Sequence, residues 1–309
     1  MIIIKMIYNK SKKTYNIIKQ IRRCEMTKII DAIEMCENKI EKFKEEINKI
    51  EEVIKRKPEF IIINASDDEG NARYIKGKIT EGEKAGLKVN AIKLEKDCTN
   101  CDVMEIINKC NEEKIPVILQ LPTFEHLDTD TLMKSIDYRV DADGFAKEWI
   151  GEINLGNDKL LSPATPKGVI SLLEYHDVDI EGKVVLVIGK SNHVGKPLCS
   201  MLMNRGATLI NANSKTKDLS SLVKMADIVI SCVGRQNLIK ASDVKKDSVI
   251  IGVGFTYVGR KQILDFDVDE IVNQGKARLV SNRINCTGKA TINSLIENVI
   301  ELYKMNFNI

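Results

Sequence analysis

The sequence has no apolar run that approaches the roughly 20 residues needed to span a membrane. Its residues are 43% hydrophobic and 29% charged, as in an ordinary globular protein, so we expect a soluble chain without a membrane partner. Lys and Glu are interspersed, and a formal net charge of +3 leaves no basic stripe that would neutralise nucleic-acid phosphates. Nucleic acid is therefore not an expected partner.

Two further features are missing, an export signal and a metal motif. Residues 1–13 lack the roughly 7–15-residue apolar core of a signal peptide, which favours a cytoplasmic protein. Eight cysteines are scattered along the chain, and the pair Cys98 and Cys101 has no second pair at zinc spacing. Reduced cysteines and no metal site are expected, with a metal or redox role for this pair as the alternative.

The first half of the chain has the pattern of an α/β layer. Apolar positions between residues 29 and 54 recur at steps of three and four, which predicts one long amphipathic helix. That helix packs on a sheet or, alternatively, forms a coiled coil. Short β-rich runs at 60–64, 87–94 and 117–121 alternate with helical segments at 72–85 and 102–111. This alternation predicts a mostly parallel sheet.

A second domain is expected after a stretch rich in Gly and Pro. Residues 144–166 lose their periodicity, so we place residues 1–153 in a first α/β domain and 154–287 in a second. Strand signals at 184–188, 207–211, 228–232 and 249–253 predict a Rossmann-like, doubly wound parallel sheet in the second domain. Apolar periodicity from 291 to 303 predicts a final helix, so residues 288–309 are expected to return to the first domain.

A loop with two glycines follows the strand at 184–188. It runs from Gly189 to Pro197 and leads into an apolar helix. A glycine at a strand exit lets the backbone approach phosphates, and the N-terminal end of the following helix attracts them. The glycines are six residues apart with no middle glycine, so the match to a dinucleotide motif is imperfect.

The next strand indicates which dinucleotide the loop would bind. Its end, residues 212–216, has no carboxylate of the kind that binds the ribose hydroxyls of NAD. Lys190, Ser214 and Lys215 could instead meet a 2′-phosphate, so NADP is favoured and NAD stays possible. The two lysines could also be solvated loop residues. Gly234 closes another strand, where a small residue allows close approach of a cofactor.

One helix face in the first half carries polar groups that suit catalysis. Asn71, Tyr74 and Lys78 are spaced three and four residues apart and so share a face. A tyrosine can stack on a flat heterocycle, and a desolvated lysine can act as acid or base. Gln120 ends a buried strand, and Asp143 lies in a glycine-containing turn. By spacing alone the helix face could be surface decoration, and Asp143 an Asx-turn residue.

In this order, the segments resemble the bifunctional methylenetetrahydrofolate dehydrogenase/cyclohydrolase family, from about residue 60 to the C-terminus. The family's Tyr-x-x-x-Lys, Val-Gln-Leu-Pro and Asp-Val-Asp-Gly-Phe motifs match residues 74–78, 119–122 and 141–145. Its Pro-x-Thr-Pro-x-Gly, Gly-Arg-Ser-x-x-Val-Gly-x-Pro and Ser-x-Thr motifs match residues 163–168, 189–197 and 214–216.

The resemblance implies a homodimeric enzyme that binds tetrahydrofolate derivatives between a folate domain and an NADP domain. Hydride would leave methylenetetrahydrofolate for NADP, and water would open the methenyl product to the 10-formyl form. Lys78 would transfer protons, Gln120 would orient it, Tyr74 would stack on folate and Asp143 would accept from the pterin. The expected substrate contacts are Asn71, Tyr74, Leu121, Asp143, Asn285 and Thr291. The expected cofactor contacts are Thr165, Gly189, Lys190, Ser191, Val194, Gly195, Ser214, Gly234 and Arg235.

The chain also departs from the family pattern. Asn71 replaces the usual serine, Ala164 a cysteine, Lys190 an arginine and Gly252 an aspartate. The family's Pro-Val-Pro-Gly-Gly-Val-Gly-Pro-Met-Thr loop is altered throughout residues 282–291, where only the final glycine and threonine match. Two alternatives to a folate enzyme therefore stay open: a dehydrogenase of the same architecture acting on another small substrate, and a non-catalytic nucleotide-binding relative.

Overall fold

The computed structural model describes residues 27–158, 161–258 and 261–309. The sequence features at 1–13 and Cys24 lie outside these residues. Two compact units are present. The six-stranded unit contains the described residues 27–31, 180–189, 206–258 and 261–284, and the three-stranded unit contains 32–158, 161–179, 190–205 and 285–309.

Strands and helices alternate along most of the chain. The first part contains β1 (Lys28–Ile30), α1 (Ile33–Ile54), β2 (Glu59–Asn64), α2 (Glu69–Ala85), β3 (Lys88–Lys93), α3 (Asn100–Glu113), β4 (Val117–Leu119), α4 (Thr129–Ser135), α5 (Lys147–Asn154) and α6 (Ala164–Tyr175). The second part contains β5 (Val184–Ile188), α7 (Gly195–Met203), β6 (Thr208–Ala212), α8 (Leu219–Met225), β7 (Ile228–Ser231), β8 (Val249–Gly252), β9 (Phe255–Val258), β10 (Lys261–Leu264), α9 (Val268–Gln274), β11 (Leu279–Ser281) and α10 (Thr287–Phe307).

The three-stranded unit is built on a parallel sheet in the order β3-β2-β4. Its central strand β2 carries an isoleucine run, residues 61–63, that is buried on both faces, as expected where helices cover both sides of a parallel sheet. Helix α1 buries one apolar stripe and belongs to the same core cluster as this sheet, so the helix-on-sheet prediction is confirmed and the coiled-coil alternative is not needed.

The last helix, α10, returns to this unit as predicted. Its Ile296, Val299 and Tyr303 share one buried cluster with Phe60 and Ile62 of β2. The Tyr303 hydroxyl also donates to the carbonyl of Glu59 at 2.8 Å and accepts from its N–H at 2.8 Å. Each fully buried apolar side chain of this kind contributes about 1.5–3 kcal/mol, so the chain terminus is part of the core of the unit.

The six-stranded unit is a parallel sheet in the order β1-β11-β8-β7-β5-β6. Strand β5 lies between β6 and β7, so the strand order reverses beside it, which is the arrangement of a doubly wound sheet and confirms the predicted fold class. The carboxyl end of β5 leads directly into Gly189. An antiparallel hairpin of β9 and β10 forms a separate two-stranded ribbon.

Two assignments made from the sequence differ from the structure. Ile29 was expected to begin the long helix, but it lies in β1, which pairs in parallel with β11. A three-residue strand is too short to show a period of two, so its apolar residues are read as part of the next helix. The domain boundaries of 153/154 and 287/288 also differ from the compact units, because α6 and α7 cluster with the three-stranded unit.

The position of α6 has a physical cause. A Cβ added at Gly168 would lie 2.8 Å from the backbone carbon of Ala290, so the glycine allows α6 to approach α10 closely.

Among residues 27–158, 161–258 and 261–309, no helix combines the length and the apolar character that crossing a membrane requires.

Candidate active site

The polar face of α2 is held by a cap at the start of the helix. The Asp68 side chain accepts from the Asn71 N–H at 2.8 Å, which satisfies a free donor of the first helical turn. Asn71, Tyr74 and Lys78 then follow on one side of the helix, as the spacing predicts. Asn71 and Lys78 are both buried at 5% exposure, so this face is not surface decoration.

Lys78 and Gln120 form the centre of the site. The Lys78 amine donates to Oε1 of Gln120 at 2.8 Å and lies 5.5 Å from the centre of the Tyr74 ring. Burial lowers the pKa of Lys78, and the electrostatic interaction with Asp143 opposes this shift. The amine is therefore closer to neutrality than an exposed lysine, which is what a proton-transfer group needs.

The other side of Gln120 is held by the protein itself. Its Nε2 donates to the Leu121 carbonyl at 3.1 Å and lies 3.4 Å from Oδ1 of Asn71. Nδ2 of Asn71 donates to the Pro122 carbonyl at 3.0 Å. Both ends of the Asn71 amide thus face protein groups, and Gln120 is fixed with its oxygen toward Lys78.

Asp143 is half-buried in the turn after residue 140, near Lys78. Burial raises the pKa of its carboxyl, and the electrostatic interactions with Lys78 and His193 act in the opposite direction. The His193 ring lies 4.4 Å from the ring centre of Phe145, so this histidine is packed against the same turn. The catalytic residues predicted from the sequence, Lys78, Gln120, Tyr74 and Asp143, all belong to the three-stranded unit.

Asp141 is a residue whose role the sequence did not reveal. It is 5% exposed and accepts from the Gly144 N–H at 3.0 Å and from the Ala146 N–H at 2.6 Å. Burial raises the pKa of Asp141 to about 7, the Ala146 hydrogen bond opposes this shift, and the charge of Asp143 adds to it. An Asp three residues before a glycine is a turn signal, but the pattern does not show that its side chain is buried.

Asn298 is a second such residue. It is fully buried on α10 and donates to the carbonyls of Ala142 at 3.0 Å and Ser162 at 2.8 Å, on either side of the Asp143 turn. Lys167 donates to its Oδ1 at 3.1 Å. The sequence signal that could have identified Asn298 is a polar residue on the apolar face of a predicted helix.

The residues predicted as substrate contacts near the start of α10, Asn285 and Thr291, make hydrogen bonds within the protein. Asn285 has a φ of +56°, in the left-handed region that Asn tolerates, and its carbonyl accepts from Ala32 at 2.8 Å. Thr291 is 6% exposed, donates to the Thr287 carbonyl at 2.8 Å and lies 3.4 Å from Oγ1 of Thr165.

Two added cations in the altered segment are paired within the protein. Lys289 lies 3.3 Å from Glu81, and Arg283 forms an ion pair with Asp269.

The residues predicted for the cofactor fall in both units. In the three-stranded unit, Oγ of Ser191 accepts from the N–H groups of Val194 and Gly195, each at 3.2 Å, and Lys190 is exposed. In the six-stranded unit, Gly189 has a φ of +121°, and a Cβ there would lie 3.2 Å from the Cys232 carbonyl oxygen. Ser214 is exposed in the turn after β6.

A buried carboxylate shapes the neighbouring turn of the six-stranded unit. Asp265 is fully buried, accepts from the Ser231 hydroxyl, from the Val233 N–H at 3.1 Å and from the Arg235 N–H at 2.5 Å. Gly234 lies between these donors with a φ of +77°, and a Cβ there would lie 2.9 Å from the Phe255 carbonyl oxygen. The sequence predicted Gly234 and Arg235 but not the aspartate that holds them.

The cysteines of the pair Cys98 and Cys101 differ in their exposure to solvent. Cys98 is buried and Cys101 is exposed, and both are free thiols. Within the described part of the chain, no three His, Cys, Asp or Glu side chains are grouped so that they could hold a metal ion.

Comparison with known proteins matches this geometry to one family. Residues 30–143 match the family model of the tetrahydrofolate dehydrogenase/cyclohydrolase catalytic domain, and residues 163–307 match that of its NAD(P)-binding domain. The bifunctional protein FolD of Lactobacillus helveticus is 35% identical over 248 residues, which are 79% of this chain and 86% of that protein. The chain belongs to the tetrahydrofolate dehydrogenase/cyclohydrolase family.

Solved structures of the family have the same fold. The bifunctional FolD enzyme of Campylobacter jejuni is 30% identical and aligns with a TM-score of 0.85, covering 91% of this chain and 99% of that one. The Trypanosoma brucei methylenetetrahydrofolate dehydrogenase-cyclohydrolase, complexed with NADP cofactor and inhibitor, aligns with a TM-score of 0.87 at 23% identity, covering 92% and 99%.

One departure from the family pattern has a local structural reason. Gly252 stands where the family usually carries an aspartate. A Cβ at this position would lie 3.0 Å from Leu264 and 3.2 Å from Phe266, so a longer side chain would displace buried apolar groups. For Ala164, which is 3% exposed at the start of α6, nothing in the structure explains the replacement of the usual cysteine.

Proposed function

We propose that this protein oxidises 5,10-methylenetetrahydrofolate to 5,10-methenyltetrahydrofolate with NADP and hydrolyses the product to 10-formyltetrahydrofolate. The observation that carries the proposal is the buried Lys78, whose amine donates to Gln120 beside Tyr74 and near Asp143. This arrangement suits the reaction because a flat bicyclic substrate needs a stacking surface and a group that exchanges protons beside it.

Binding and proton transfer are assigned to different side chains. Tyr74 stacks on the folate ring, and the carboxylate of Asp143 accepts from N–H groups of the pterin, with Leu121 and the start of α10, including Asn285 and Thr291, as further contacts. Gln120 holds the Lys78 amine in place through its oxygen. Fixing both substrate and amine lowers the entropic part of the activation barrier.

The hydrolysis step follows from the lowered pKa of Lys78. As a neutral amine, Lys78 accepts a proton from the water that attacks the methenyl carbon. As an ammonium, it returns this proton to the ring nitrogen that leaves when the one-carbon bridge opens. The second proton of the water is released to solvent as the formyl carbonyl forms, so atoms and charge balance.

The residues at the predicted cofactor positions fit a dinucleotide with a 2′-phosphate. Gly189 follows the strand with a φ of +121°, and a side chain there would lie close to Cys232, so glycine suits this position best. A glycine here also lets the backbone approach a phosphate closely. Lys190 and Ser214 are exposed and available to a 2′-phosphate, and residues 212–216 contain no carboxylate that would repel it. NADP, when bound, supplies the acceptor for the hydride that leaves the methylene bridge.

The decisive test is Lys78→Met, which removes the amine and keeps a chain of similar length. We expect the variant to lose methenyltetrahydrofolate hydrolysis, measured from the loss of methenyl absorbance, while NADP binding measured by calorimetry is retained. Lys76→Met is the matched control, because Lys76 is exposed on the same helix. Hydrolysis by Lys78→Met at the rate of the parent would rule out the assignment of the amine.

We also propose that the protein is a cytoplasmic homodimer, as is typical of the family that it resembles. Size-exclusion chromatography with light scattering tests the dimer, for which a mass of about twice 34.8 kDa is expected. A single-chain mass at the concentrations used for assay would contradict it.

A further inference from the structure

We propose that Asp141 is a positioning residue, which holds the backbone of the following turn so that the Asp143 carboxylate is presented to folate. This inference rests on the proposed function. It goes beyond it by naming a residue that touches neither substrate nor cofactor but sets the affinity for folate.

The first step of the argument is the contacts of the Asp141 carboxylate. One oxygen accepts from the Gly144 N–H at 3.0 Å, and the other accepts from the Ala146 N–H at 2.6 Å. These donors lie one and three residues beyond Asp143. The hydrogen bonds of the carboxylate therefore close a backbone loop that contains Asp143. At 5% exposure little water is present to replace these bonds, which makes their loss costly.

The second step is that Asp141 itself is fixed to the sheet. It pairs in a parallel bridge with Val117, the first residue of β4. Its N–H donates to the Asp137 carbonyl at 3.1 Å, and the next N–H, of Ala142, donates to the Val117 carbonyl at 3.2 Å. The carboxylate therefore fixes the turn relative to the sheet.

The far side of the turn is equally constrained. The Asp143 carbonyl accepts from the Ala164 N–H at 3.2 Å. Gly144 has a φ of +75°, and a Cβ there would lie 2.8 Å from the backbone carbon of Ser162. The turn is thus held to the segment that begins α6 on one side and, through the Gly144 and Ala146 N–H groups, to the Asp141 carboxylate on the other. The Gly144 N–H also donates to the Asp141 carbonyl at 3.3 Å, so the Ala146 N–H depends on the carboxylate more than the Gly144 N–H does.

Replacement of Asp141 by Asn tests this arrangement with little change in volume. An amide has only one acceptor oxygen, so its NH₂ group must face one of the two backbone N–H donors. The turn must then shift, and Asp143 moves with it. A displacement of this kind costs about ten- to a hundred-fold where a charged group must meet a substrate.

The expected result is a rise of about ten-fold or more in the KM for methylenetetrahydrofolate, with the KM for NADP and the kcat changed much less. Asp137→Asn is the matched control, because the Asp137 carboxylate pairs with Arg139 and makes no bond to the turn beyond residue 141. This control is expected to keep the folate KM of the parent. A folate KM of Asp141→Asn equal to that of the parent would overturn the proposal.

A double-variant cycle separates positioning from a general loss of structure. If Asp141 acts through Asp143, the Asp141→Asn change adds little in an Asp143→Asn background, so the two effects on folate KM are not additive. Full additivity, or an equal rise of both KM values, would overturn the proposal. If Asp141→Asn does not fold, Asp141→Glu replaces it. Glu keeps both oxygens but adds a methylene, so a raised folate KM is expected and a parental value would be contradictory.

Failure of the proposed function is distinguishable from failure of this inference. A parent protein without turnover would refute the function. Calorimetry with tetrahydrofolate then measures the same variants directly, and weaker binding by Asp141→Asn than by Asp137→Asn is the result that the inference requires.

Discussion

The buried Asp141 carboxyl makes a pH-dependent contribution to the free energy of unfolding, and one substitution removes that contribution. Burial raises the pKa of Asp141 to about 7 from its ordinary value of 3.8. Between these two values the folded protein holds a proton on Asp141 and the unfolded chain does not. Stability therefore falls as pH rises from about 4 to about 7, and it changes little from this cause above that range.

The size of the effect follows from the shift. With a folded pKa of about 7, the contribution of this one group to the free energy of unfolding decreases by about 2.5 kcal/mol between about pH 5 and about pH 7.5. In Asp141→Asn no proton is exchanged, so this decrease is absent. The titratable neighbour is Asp143, which in turn interacts with Lys78 and His193, and these groups are present in both proteins.

Urea unfolding of parent and Asp141→Asn, followed by circular dichroism at a series of pH values, measures the difference directly. At low pH the variant is expected to be less stable than the parent, because its amide does not match the two N–H donors. This difference in the free energy of unfolding is expected to become smaller as pH rises. Because other ionisable groups largely cancel in the comparison, the gap between the two proteins should narrow by about 2.5 kcal/mol across the window. A gap that is constant from about pH 5 to about pH 7.5 would refute the reasoning.

Two further predictions concern the cofactor and the helix packing. Lys190→Ala should weaken NADP binding by about ten-fold or more and NAD binding much less, because a charged hydrogen bond to the 2′-phosphate is lost. An equal rise in KM for both cofactors would show that Lys190 does not bind that phosphate. Gly168→Ala should destabilise the protein by about 1–3 kcal/mol because its Cβ would lie 2.8 Å from the Ala290 backbone, whereas Gly151→Ala, with nothing within 4 Å, should be neutral or slightly stabilising in thermal unfolding.

The sequence predicted the parts of the fold that carry a clear period. Strand β5, with its run of Val, Leu and Ile, was placed at 184–188, where it occurs, and the apolar stripe of α1 defines most of that helix. Several elements of three or four residues were not predicted, namely β1, β11 and the β9 and β10 hairpin, whereas the equally short β4, β7 and β8 were predicted because they lie in longer apolar runs. The side chains of the elements that were not predicted give too few positions to establish a period of two. β1 and β11 are defined as strands by pairing, β1 with β11 and β11 also with β8.

The site was predictable to the extent that its residues share an element. The spacing of Tyr74 and Lys78 on α2 predicts their common face, and the structure adds the contact with Gln120, the residue after β4. Asp141 and Asn298 were not predictable in the same way. Asn298 donates to the Ala142 carbonyl 156 residues away along the chain, and spacing carries no information about such a partner. Asp141 accepts from N–H groups three and five residues ahead, but the sequence does not show that its side chain is buried.

The altered segment at 282–291 is the strongest departure from the family, and its position in the structure leads to a prediction of the property that it affects. Asn285 supplies a left-handed turn, and α10 begins two residues later at Thr287. A Cβ at Gly288 would lie 3.7 Å from the Tyr74 hydroxyl, so this segment borders the Tyr74 ring. The hydrogen bonds described above for Lys78, Gln120 and Asp141 come from other elements. Replacing prolines removes restrictions on φ in the unliganded segment, so part of its ordering falls to substrate binding. We therefore expect this segment to lower folate affinity. We expect the proposed proton-transfer pair, Lys78 and Gln120, to be unaffected, because its hydrogen bonds to Gln120 Oε1 and the Leu121 carbonyl do not involve this segment.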